Sequence, residues 1–394
     1  MYFCTKFKNY AVAQQTGKTN MADRKIRILE VIRQGQIGGG ESHLLDLVYY
    51  LDRDCYEPIC LSFTHGEMIR RLTAWNVKCH VIESEKAFDP KVQKKVIDFV
   101  KEEKVDIIHA HGSRAASNIL LAGRVLHIPI IYTVHGWSFH DDQPAIVKHI
   151  RAFSEKMICN NVQKVICVSD SNAETGRQIC GLKAATVIEN GINLNRFNPE
   201  REFPDLRKEF GFKQSDFIIG FIARDTVQKA PLLYLEAVLL AHAQEKNIKA
   251  LFVAEGELDK EADDFIAMHK MESYVFHSKF RQDVPEVLHC IDVYCLPSLW
   301  EGLPIALLEA MAMGKAVVAT PTDGTKELLS DGRNGILVPF NNPVALADAF
   351  RLFMENKEFK KECEDNVRTL VSKRFNAERV ARSVEEIYDS MINP

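Results

Sequence analysis

The sequence of 394 residues lacks the features that mark membrane-spanning, secreted or nucleic-acid-binding proteins. It contains no run of about 18 uncharged apolar residues, so no transmembrane helix is predicted. Its amino-terminal residues contain no apolar segment of the signal-peptide type. The formal net charge is only −4, which argues against the strongly basic balance typical of nucleic-acid-binding domains.

Cysteines are present, but not in the pairs that metal or redox sites use. None of the ten forms a Cys-x-x-Cys motif, and the closest spacings are Cys55/Cys60 and Cys290/Cys295. Structural zinc sites and redox motifs usually need tighter pairs. The thiols are therefore predicted to be reduced and mostly buried, which indicates a cytoplasmic protein.

Short strands rich in Val and Ile alternate with amphipathic helices along most of the chain, which predicts parallel, doubly wound sheets. The alternation begins at Lys25–Arg33 and restarts at Phe217–Arg224, and Asn198–Pro204, with two prolines, is the predicted linker. The predicted units are a disordered segment over residues 1–20, a first lobe over 21–204, a second lobe over 205–375 and a final helix over 376–394. Two such lobes imply a cleft, with ligands bound beyond the carboxyl ends of the strands.

Two candidate sites follow strands of the first lobe. Gly38–Gly40 come just after the first strand and open a helix, where glycine allows the backbone to approach an anion such as a diphosphate. A tight strand-to-helix turn would use the same residues. His135 follows the predicted strand Ile128–Val134, where an imidazole could hydrogen-bond a sugar hydroxyl or stabilise developing charge. A loop histidine without a role is the alternative.

The second lobe contains charged candidates at equivalent places. Arg224 and Lys229 follow its first strand, and two cations on one strand-to-helix loop can converge on an anion, although solvated surface cations would have the same spacing. Glu301 precedes a helix predicted to begin near Ile305, whose first N–H groups form an anion site. Glu309 lies one turn further and could accept hydrogen bonds from vicinal hydroxyls such as those of a ribose. An ordinary helix glutamate is the alternative, but its apolar neighbours indicate burial, and a buried carboxylate needs a partner.

The run from Glu301 to Glu309 resembles the Glu-x7-Glu signature of the family-4 retaining glycosyltransferases. The resemblance extends from about Lys25 to Asp348, because further family motifs follow in the family's order and spacing. These further matches are Gly38-Gly39 with Glu41, Thr133–Gly136, Glu189–Phe197 with its Asn190-Gly191 turn, Ala223–Ala230 and Gly314–Thr320.

The resemblance implies an α/β protein of the GT-B fold, with two Rossmann-like lobes facing each other across a deep cleft. The first lobe would bind the acceptor and the second the nucleotide-sugar donor, and the final helix would cross back to the first lobe. The implied catalytic residues are His135 at the donor sugar, Arg224 and Lys229 at the diphosphate, and Glu301 near the reacting end of the sugar. The implied donor-binding residues are Gly38, Gly39, Asn190, Ser278, Phe280, Leu303, Pro304, Ile305, Ala306 and Glu309, the last through the ribose hydroxyls.

The sequence departs from the family pattern in the loop that contains these cations. Ala223 and Ala230 stand where the family has glycines, and Asp225 follows the arginine. An added methyl group could shift the loop and its backbone contacts. The charged side chains of Arg224 and Lys229 are retained, so their implied roles are retained as well.

The implied reaction transfers a sugar from a nucleotide-sugar donor, with a UDP-sugar favoured, to a hydroxyl acceptor with retention of anomeric configuration. No cofactor is expected. No metal is expected either, because no Asp-x-Asp motif stands at a strand end; Asp141-Asp142 and Asp263-Asp264 are interpreted as surface pairs. Many relatives glycosylate lipid-linked saccharides, so an acceptor of that kind in cell-surface polysaccharide synthesis is expected. The predicted helices Pro90–Glu103 and Ala145–Cys159 could contact the inner membrane face, although such helices usually pack on their own core.

Two other functions fit a two-lobed sugar-binding cleft. A GT-B-fold epimerase of UDP-amino sugars would use the same cleft, but the Glu-x7-Glu arrangement favours transfer. A non-catalytic sugar-binding protein is the second alternative. The joint presence of Arg224, Lys229, Glu301 and Glu309 argues against it.

Overall fold

The computed structural model describes residues 24–140 and 143–392, which form two parallel α/β lobes. The segment 1–20, predicted to be disordered, and the pair Asp141-Asp142 lie outside the described residues. The first sheet has the strand order β3-β2-β1-β4-β5-β6-β7. Its strands are β1 Ile26–Ile32, β2 Tyr56–Ser62, β3 Lys78–Val81, β4 Ile107–His111, β5 Ile130–Val134, β6 Lys164–Cys167 and β7 Thr186–Val187. Its helices are α1 Gly39–Tyr50, α2 Glu67–Ala74, α3 Pro90–Glu102, α4 Ser113–Leu126, α5 Ala145–Cys159 and α6 Asp170–Cys180.

The second sheet repeats the pattern with the order β10-β9-β8-β11-β12-β13. Its strands are β8 Phe217–Asp225, β9 Ile248–Gly256, β10 Val275–Ser278, β11 Val293–Leu296, β12 Ala316–Ala319 and β13 Ile336–Leu337. The helices are α7 Pro231–Gln244, α8 Asp259–Met268, α9 Val284–Cys290, α10 Ile305–Ala312, α11 Asp323–Leu328, α12 Pro343–Glu355, α13 Lys357–Arg374 and α14 Ala377–Ile392. In both sheets the order reverses beside the first strand of the lobe, and this reversal creates a crevice at the carboxyl ends. The prediction of two doubly wound lobes is confirmed.

Helices cover both faces of each sheet, which explains the nearly continuous apolar strands. In β1, Leu29 and Val31 pack with Val96 of α3 on one face. Ile28 packs on the other face, in the same cluster as Leu47 of α1.

The last two helices belong to different lobes. Val367 and Val371 of α13 are buried in a core of the second lobe. The chain then forms a β-bridge between Ile192 and Asn376. Beyond it, Val384 and the rest of the apolar face of α14 are buried in a core of the first lobe. Within the described residues, no helix combines the length and the apolar character needed to cross a bilayer.

Candidate active site

A cavity of about 680 Å³ lies between the lobes, at the carboxyl ends of both sheets. Of the fourteen residues predicted for the site, Ser278 alone is missing from its lining, and the Ser278 hydroxyl donates a hydrogen bond to the Lys279 carbonyl at 3.2 Å. The other thirteen line it: Gly38, Gly39, His135, Asn190, Arg224, Lys229, Phe280, Glu301, Leu303, Pro304, Ile305, Ala306 and Glu309. The fold therefore brings together residues from both lobes, from Gly38 to Glu309.

The loop from β1 to α1 closes one side of the cavity with little side-chain bulk. A Cβ atom added to Gly38 would lie 2.8 Å from Glu41 Oε2 and 3.6 Å from Arg224 Nε, so a side chain here would require the Glu41 carboxylate to shift. Gly39 differs, because no described atom lies within 4 Å of the equivalent point. The cleft is therefore narrow at Gly38, where the side chain of Arg224 reaches it from the other lobe.

The equivalent loop of the second lobe, from β8 to α7, carries the two predicted cations. Arg224 lies near the end of β8, and Lys229 ends a single 3₁₀ turn over Val227–Lys229. Ala230 follows with φ 50° and ψ 55°, in the left-handed region that favours glycine. Glycine adopts this conformation without strain, which explains why the family has a glycine at this position. The alanine of this chain adopts the same conformation at some cost in backbone strain.

Asp225, which follows Arg224, does not face the cavity. Its side chain is fully buried, neither carboxylate oxygen has a hydrogen-bond partner among the described residues, and it does not line the cavity. Burial, reinforced by the charge of Asp259, raises the pKa of Asp225 to about 6. Arg224 is therefore the residue of this pair that faces the ligand space.

Lys229 and Glu301 form an ion pair at the edge of the cavity. Lys229 Nζ lies 2.5 Å from Glu301 Oε1, and both side chains are mostly shielded from solvent. Gln228 Nε2 donates a hydrogen bond to the Trp300 carbonyl at 2.8 Å, which ties the two loops together. The ammonium group is therefore positioned beside the loop that leads into α10.

The amino-terminal turn of α10 faces the cavity through Leu303–Ala306. Pro304 is its N-cap residue, and no described side chain caps the first N–H groups. Asn190 Nδ2 donates a hydrogen bond to the Leu303 carbonyl at 2.9 Å. A Cβ atom added to Gly302 would lie 2.2 Å from the His135 carbonyl oxygen of the first lobe. The helix terminus is thus fixed against the first lobe while its N–H groups remain available to an anion.

Glu309 lies one turn into α10 and lines the same cavity. Burial raises the pKa of Glu309 to about 7, the nearby Arg196 opposes this shift, and Asp46 of α1 reinforces it. Burial likewise raises the pKa of Asp46 to about 7. A cation and two carboxyl groups from both lobes therefore influence one another near this end of the cavity.

His135 presents an imidazole at the end of β5. Its Nε2 lies 3.1 Å from His111 Nδ1, and its ring centroid lies 4.9 Å from that of His43. Burial lowers the pKa of His135 well below its usual range, and His43 and His111 add to the shift. The side chain is therefore a neutral hydrogen-bonding group rather than a cation.

His43, His111 and His135 also have the spacing of a metal triad, with one nitrogen of each within 4.8 Å of the others. Two of these nitrogens, His111 Nδ1 and His135 Nε2, already hydrogen-bond to each other. Glu30 satisfies the other nitrogen of His111 at 2.8 Å. Both ring nitrogens of His111 are therefore engaged in hydrogen bonds within the cluster.

Several lining residues were not predicted from the sequence. Arg196 approaches Glu309, Gln228 bonds to the Glu301 loop, and the Trp300 ring stacks on His140 of the other lobe at 4.7 Å between centroids. Gln228 directly precedes Lys229 and Trp300 directly precedes Glu301, so their places in the predicted loops could have indicated that they line the site. No sequence feature indicated that Arg196 lines the site, because a lone arginine in a turn resembles a surface residue.

Comparisons with known proteins identify the family and the fold. Residues 37–196 match the family model described as "Glycosyltransferase Family 4", and residues 202–370 match "Glycosyl transferases group 1". The chain is a family-4-like glycosyltransferase of the GT-B fold.

Among its relatives, this glycosyltransferase is 26% identical over 309 residues to the UDP-Gal:alpha-D-GlcNAc-diphosphoundecaprenol alpha-1,3-galactosyltransferase of Escherichia coli, covering 74% of this chain and 77% of that protein. It is 27% identical over 308 residues to the N,N'-diacetylbacillosaminyl-diphospho-undecaprenol alpha-1,3-N-acetylgalactosaminyltransferase of Campylobacter jejuni, covering 74% and 79%. The crystal structure of Anabaena Alr3699/HepE in complex with UDP and glucose superposes with a TM-score of 0.81 at 22% identity, covering 93% of this chain and 100% of that one. That likeness shows the fold.

Proposed function

We propose that this glycosyltransferase transfers a sugar from a UDP-sugar to a hydroxyl acceptor, with retention of anomeric configuration and without a metal ion. The observation that carries the proposal is the convergence of Arg224, Lys229 and the uncapped turn at Leu303–Ala306 on one cavity. Positive charge and free N–H groups at one place suit a diphosphate leaving group. No divalent cation is needed to neutralise it.

In the proposed reaction, the bond between the anomeric carbon and the diphosphate oxygen breaks as the acceptor oxygen attacks from the same face. The acceptor proton passes to the departing diphosphate oxygen. Negative charge grows on the diphosphate, where Arg224, Lys229 and the α10 turn stabilise it. Glu301 is assigned to the donor sugar and Glu309 to the ribose hydroxyls. Both side chains line the cavity, separated by the helix terminus that would bind the phosphates.

The assignment of uracil as the donor base rests on relatives. The Escherichia coli relative is named for UDP-Gal, and Alr3699/HepE has been crystallised with UDP-glucose. A thermal-shift panel with UDP-, GDP- and ADP-sugars tests the base, because a ligand that binds only the folded protein raises Tm. The largest shift is expected with a UDP-sugar. A larger shift with GDP- or ADP-sugars would contradict the assignment.

The transfer itself is tested with the donor that this panel selects and an undecaprenyl-diphosphate saccharide as acceptor. The product is expected to keep the anomeric configuration of the donor, as read from its NMR coupling constants, and the rate is expected to be unchanged by EDTA. An inverted product or abolition by EDTA would overturn the corresponding part. Formation of an epimer without acceptor would support the epimerase alternative instead.

We further assign the acceptor to the lipid-linked class, and α5 of the first lobe supports this assignment. Its side chains Ile146, Ile150 and Phe153 form one helical stripe and are 76%, 63% and 70% exposed. Arg151 and Lys156 are exposed on the same helix, whereas its single acid, Glu155, is buried. An exposed apolar stripe beside cations suits an anionic lipid surface.

The position of α5 relative to the cavity agrees with this assignment. Ile146 follows six residues after His140, which lines the cavity. A lipid surface against α5 would therefore bring a membrane-anchored diphosphate saccharide close to the cleft. The other predicted membrane helix, α3, offers no such stripe, because Val92, Val96 and Phe99 are buried in the core of its own lobe.

Co-sedimentation with vesicles of phosphatidylglycerol and phosphatidylcholine tests this surface. The triple variant Ile146→Ser, Ile150→Ser, Phe153→Ser is expected to bind at least about tenfold more weakly, since burying one such side chain is worth about 1.5–3 kcal/mol. The matched control is Val344→Ser with Leu352→Ser on α12 of the second lobe, where both side chains are also exposed. Equal binding by both variants, with transfer to the lipid-linked acceptor intact, would contradict the assignment of α5.

A further inference from the structure

A chain of buried hydrogen bonds connects helix α14 with the cleft residue His135. Tyr388 of α14, Glu30 of β1 and His111 of β4 are each at most 2% exposed. Tyr388 Oη lies 2.8 Å from Glu30 Oε1, and His111 Nε2 lies 2.8 Å from Glu30 Oε2. His135 Nε2 lies 3.1 Å from His111 Nδ1. Buried polar groups are stable only when each donor faces an acceptor, so the protons of this series of hydrogen bonds can be assigned to individual atoms.

The count begins at Glu30, which has two hydrogen-bonded neighbours, while His109 Nδ1 lies further from its Oε2 atom, at 3.4 Å. As a carboxylate it accepts from the Tyr388 hydroxyl and from His111 Nε2–H, so each of its oxygens has a donor. With its ring proton on Nε2, His111 has a lone pair on Nδ1. His135 Nε2 must therefore carry the proton that joins the two rings, and His135 Nδ1 carries none.

A side branch of the network can be assigned in the same way. Tyr388 donates its single proton to Glu30, so it must accept at its 2.7 Å contact with His109 Nδ1. His109 Nε2 is then an acceptor, and the Thr133 hydroxyl lies 2.7 Å from it as the donor. Every group in this branch is satisfied with one arrangement of protons. The opposite state, with a proton on Glu30 Oε2, would reverse the bonds to His111 and His135 and leave an N–H at His135 Nδ1.

We infer that Glu30 and His111 are positioning residues that hold His135 as its Nε2–H tautomer, so that His135 Nδ1 accepts a hydrogen bond from a hydroxyl group of the donor sugar. His135 lines the cavity. Its Nδ1 atom is shielded from bulk solvent and has no hydrogen-bond partner among residues 24–140 and 143–392. An unprotonated ring nitrogen selects a donor group, such as a hydroxyl, and disfavours a carboxylate or carbonyl oxygen at the same place.

This arrangement also gives helix α14 a role in the cleft. A free imidazole exchanges between tautomers, whereas a carboxylate–histidine pair fixes both the ring and the proton. Here the fixed pair is braced by Tyr388, which is 358 positions from Glu30 in the chain. The tautomer assignment stands on the hydrogen bonds alone, and only the sugar contact rests on the proposed function.

Nitrogen-15 NMR of the full chain labelled at histidine tests the tautomer, because protonated and unprotonated ring nitrogens have clearly separate shifts. His135 is expected to show a protonated Nε2 and an unprotonated Nδ1 between pH 6 and 8, with its signals identified by their loss in His135→Gln. A protonated Nδ1 in the wild-type protein would overturn the inference. The spectrum requires no activity, so absence of transfer with every donor would remove the proposed function and leave this assignment intact.

Two variants separate positioning from general stability. His111→Phe keeps a ring but removes the acceptor for His135 Nε2–H, so His135 is expected to show mixed tautomers. Its kcat/KM should fall about 10- to 100-fold, as for the hydrogen-bonded partners of metal-bound histidines. Tyr388→Phe leaves the bond between Glu30 and His111, so the tautomer should persist with a smaller loss of activity. An unchanged tautomer in His111→Phe would contradict the inference, whatever the melting temperatures.

Discussion

The first strand-to-helix loops of the two lobes occupy equivalent positions and face each other, yet they differ in chemistry. The loop after β1 presents backbone through Gly38, Gly39 and Gly40, which line the cavity. The loop after β8 presents charge through Arg224 and Lys229, and Ala230 ends it in a left-handed conformation. Arg224 Nε lies 3.6 Å from the point where a Cβ atom of Gly38 would stand. The first lobe therefore contributes backbone at this part of the cleft, and the second lobe contributes positive charge. Substitutions in the two loops should for this reason have different consequences.

The largest effect is expected at the cationic loop. Lys229→Ala should lower kcat about 100-fold or more, because a positively charged donor to the leaving group is lost. Steady-state kinetics at saturating donor measure it.

The control for Lys229 is Glu301→Gln, which removes the ion pair but leaves the ammonium group in the cavity. If Lys229 served only to neutralise Glu301, Lys229→Ala would cause no further loss of activity in the Glu301→Gln background. Near-normal turnover in Lys229→Ala would end its assignment to the phosphates.

The contact between the lobes should be the next most sensitive place. Gly302→Ala would place a Cβ atom 2.2 Å from the His135 carbonyl oxygen, so the lobes must separate. We expect a loss of about 1–3 kcal/mol in the free energy of unfolding, measured with urea. Gly136→Ala is the matched control, since no described atom lies within 4 Å of its added Cβ atom. Equal losses in both variants would show that the close contact is not the cause.

Glu309 should affect donor binding rather than turnover. Glu309→Ala is expected to raise the donor KM about tenfold, as for the loss of a hydrogen bond to a charged group, with kcat little changed. A fall in kcat alone would contradict the ribose assignment.

The ionisation of Glu309 adds a pH signature. Burial raises its pKa to about 7 from an ordinary value of 4.5, so its ionisation reduces stability as pH rises from about 4.5 to 7. The ionised carboxylate is the better acceptor, so the donor KM should fall as pH rises through about 7. Glu309→Gln should remove this dependence, and a dependence that persists in this variant would assign it to another group.

The smallest effect concerns the alanine that replaces a family glycine. Ala230→Gly should stabilise the protein by about 1 kcal/mol, since left-handed backbone costs an alanine roughly 1–2 kcal/mol and glycine returns part of this through unfolded-state entropy. Thermal and urea unfolding measure it. Ala223→Gly is the control: Ala223 lies within β8 at ordinary φ, so glycine there should destabilise. Destabilisation by both changes would show that the strain at Ala230 is negligible.

Local sequence patterns predicted most strands and helices of the fold, but not all of them. Helix α13 was not predicted, because its 18 residues are largely charged and only Cys363, Val367 and Val371 are buried. The two-residue strand β7 is too short for any periodicity to show. Ser278 was placed in the site by resemblance, whereas in the structure its hydroxyl bonds to the neighbouring backbone.

The sequence by itself determined the alternation of strands and helices and the chemistry at each strand end. Glu301 and Glu309 belong to this part, because a helix beginning at Ile305 places both at one terminus by local geometry alone. The tertiary structure decided which groups meet. The pairing of Lys229 with Glu301 and the chain from Tyr388 through Glu30 to His135 join residues far apart in sequence. No local pattern encodes such contacts, since they exist only after two lobes and a returning helix have packed together.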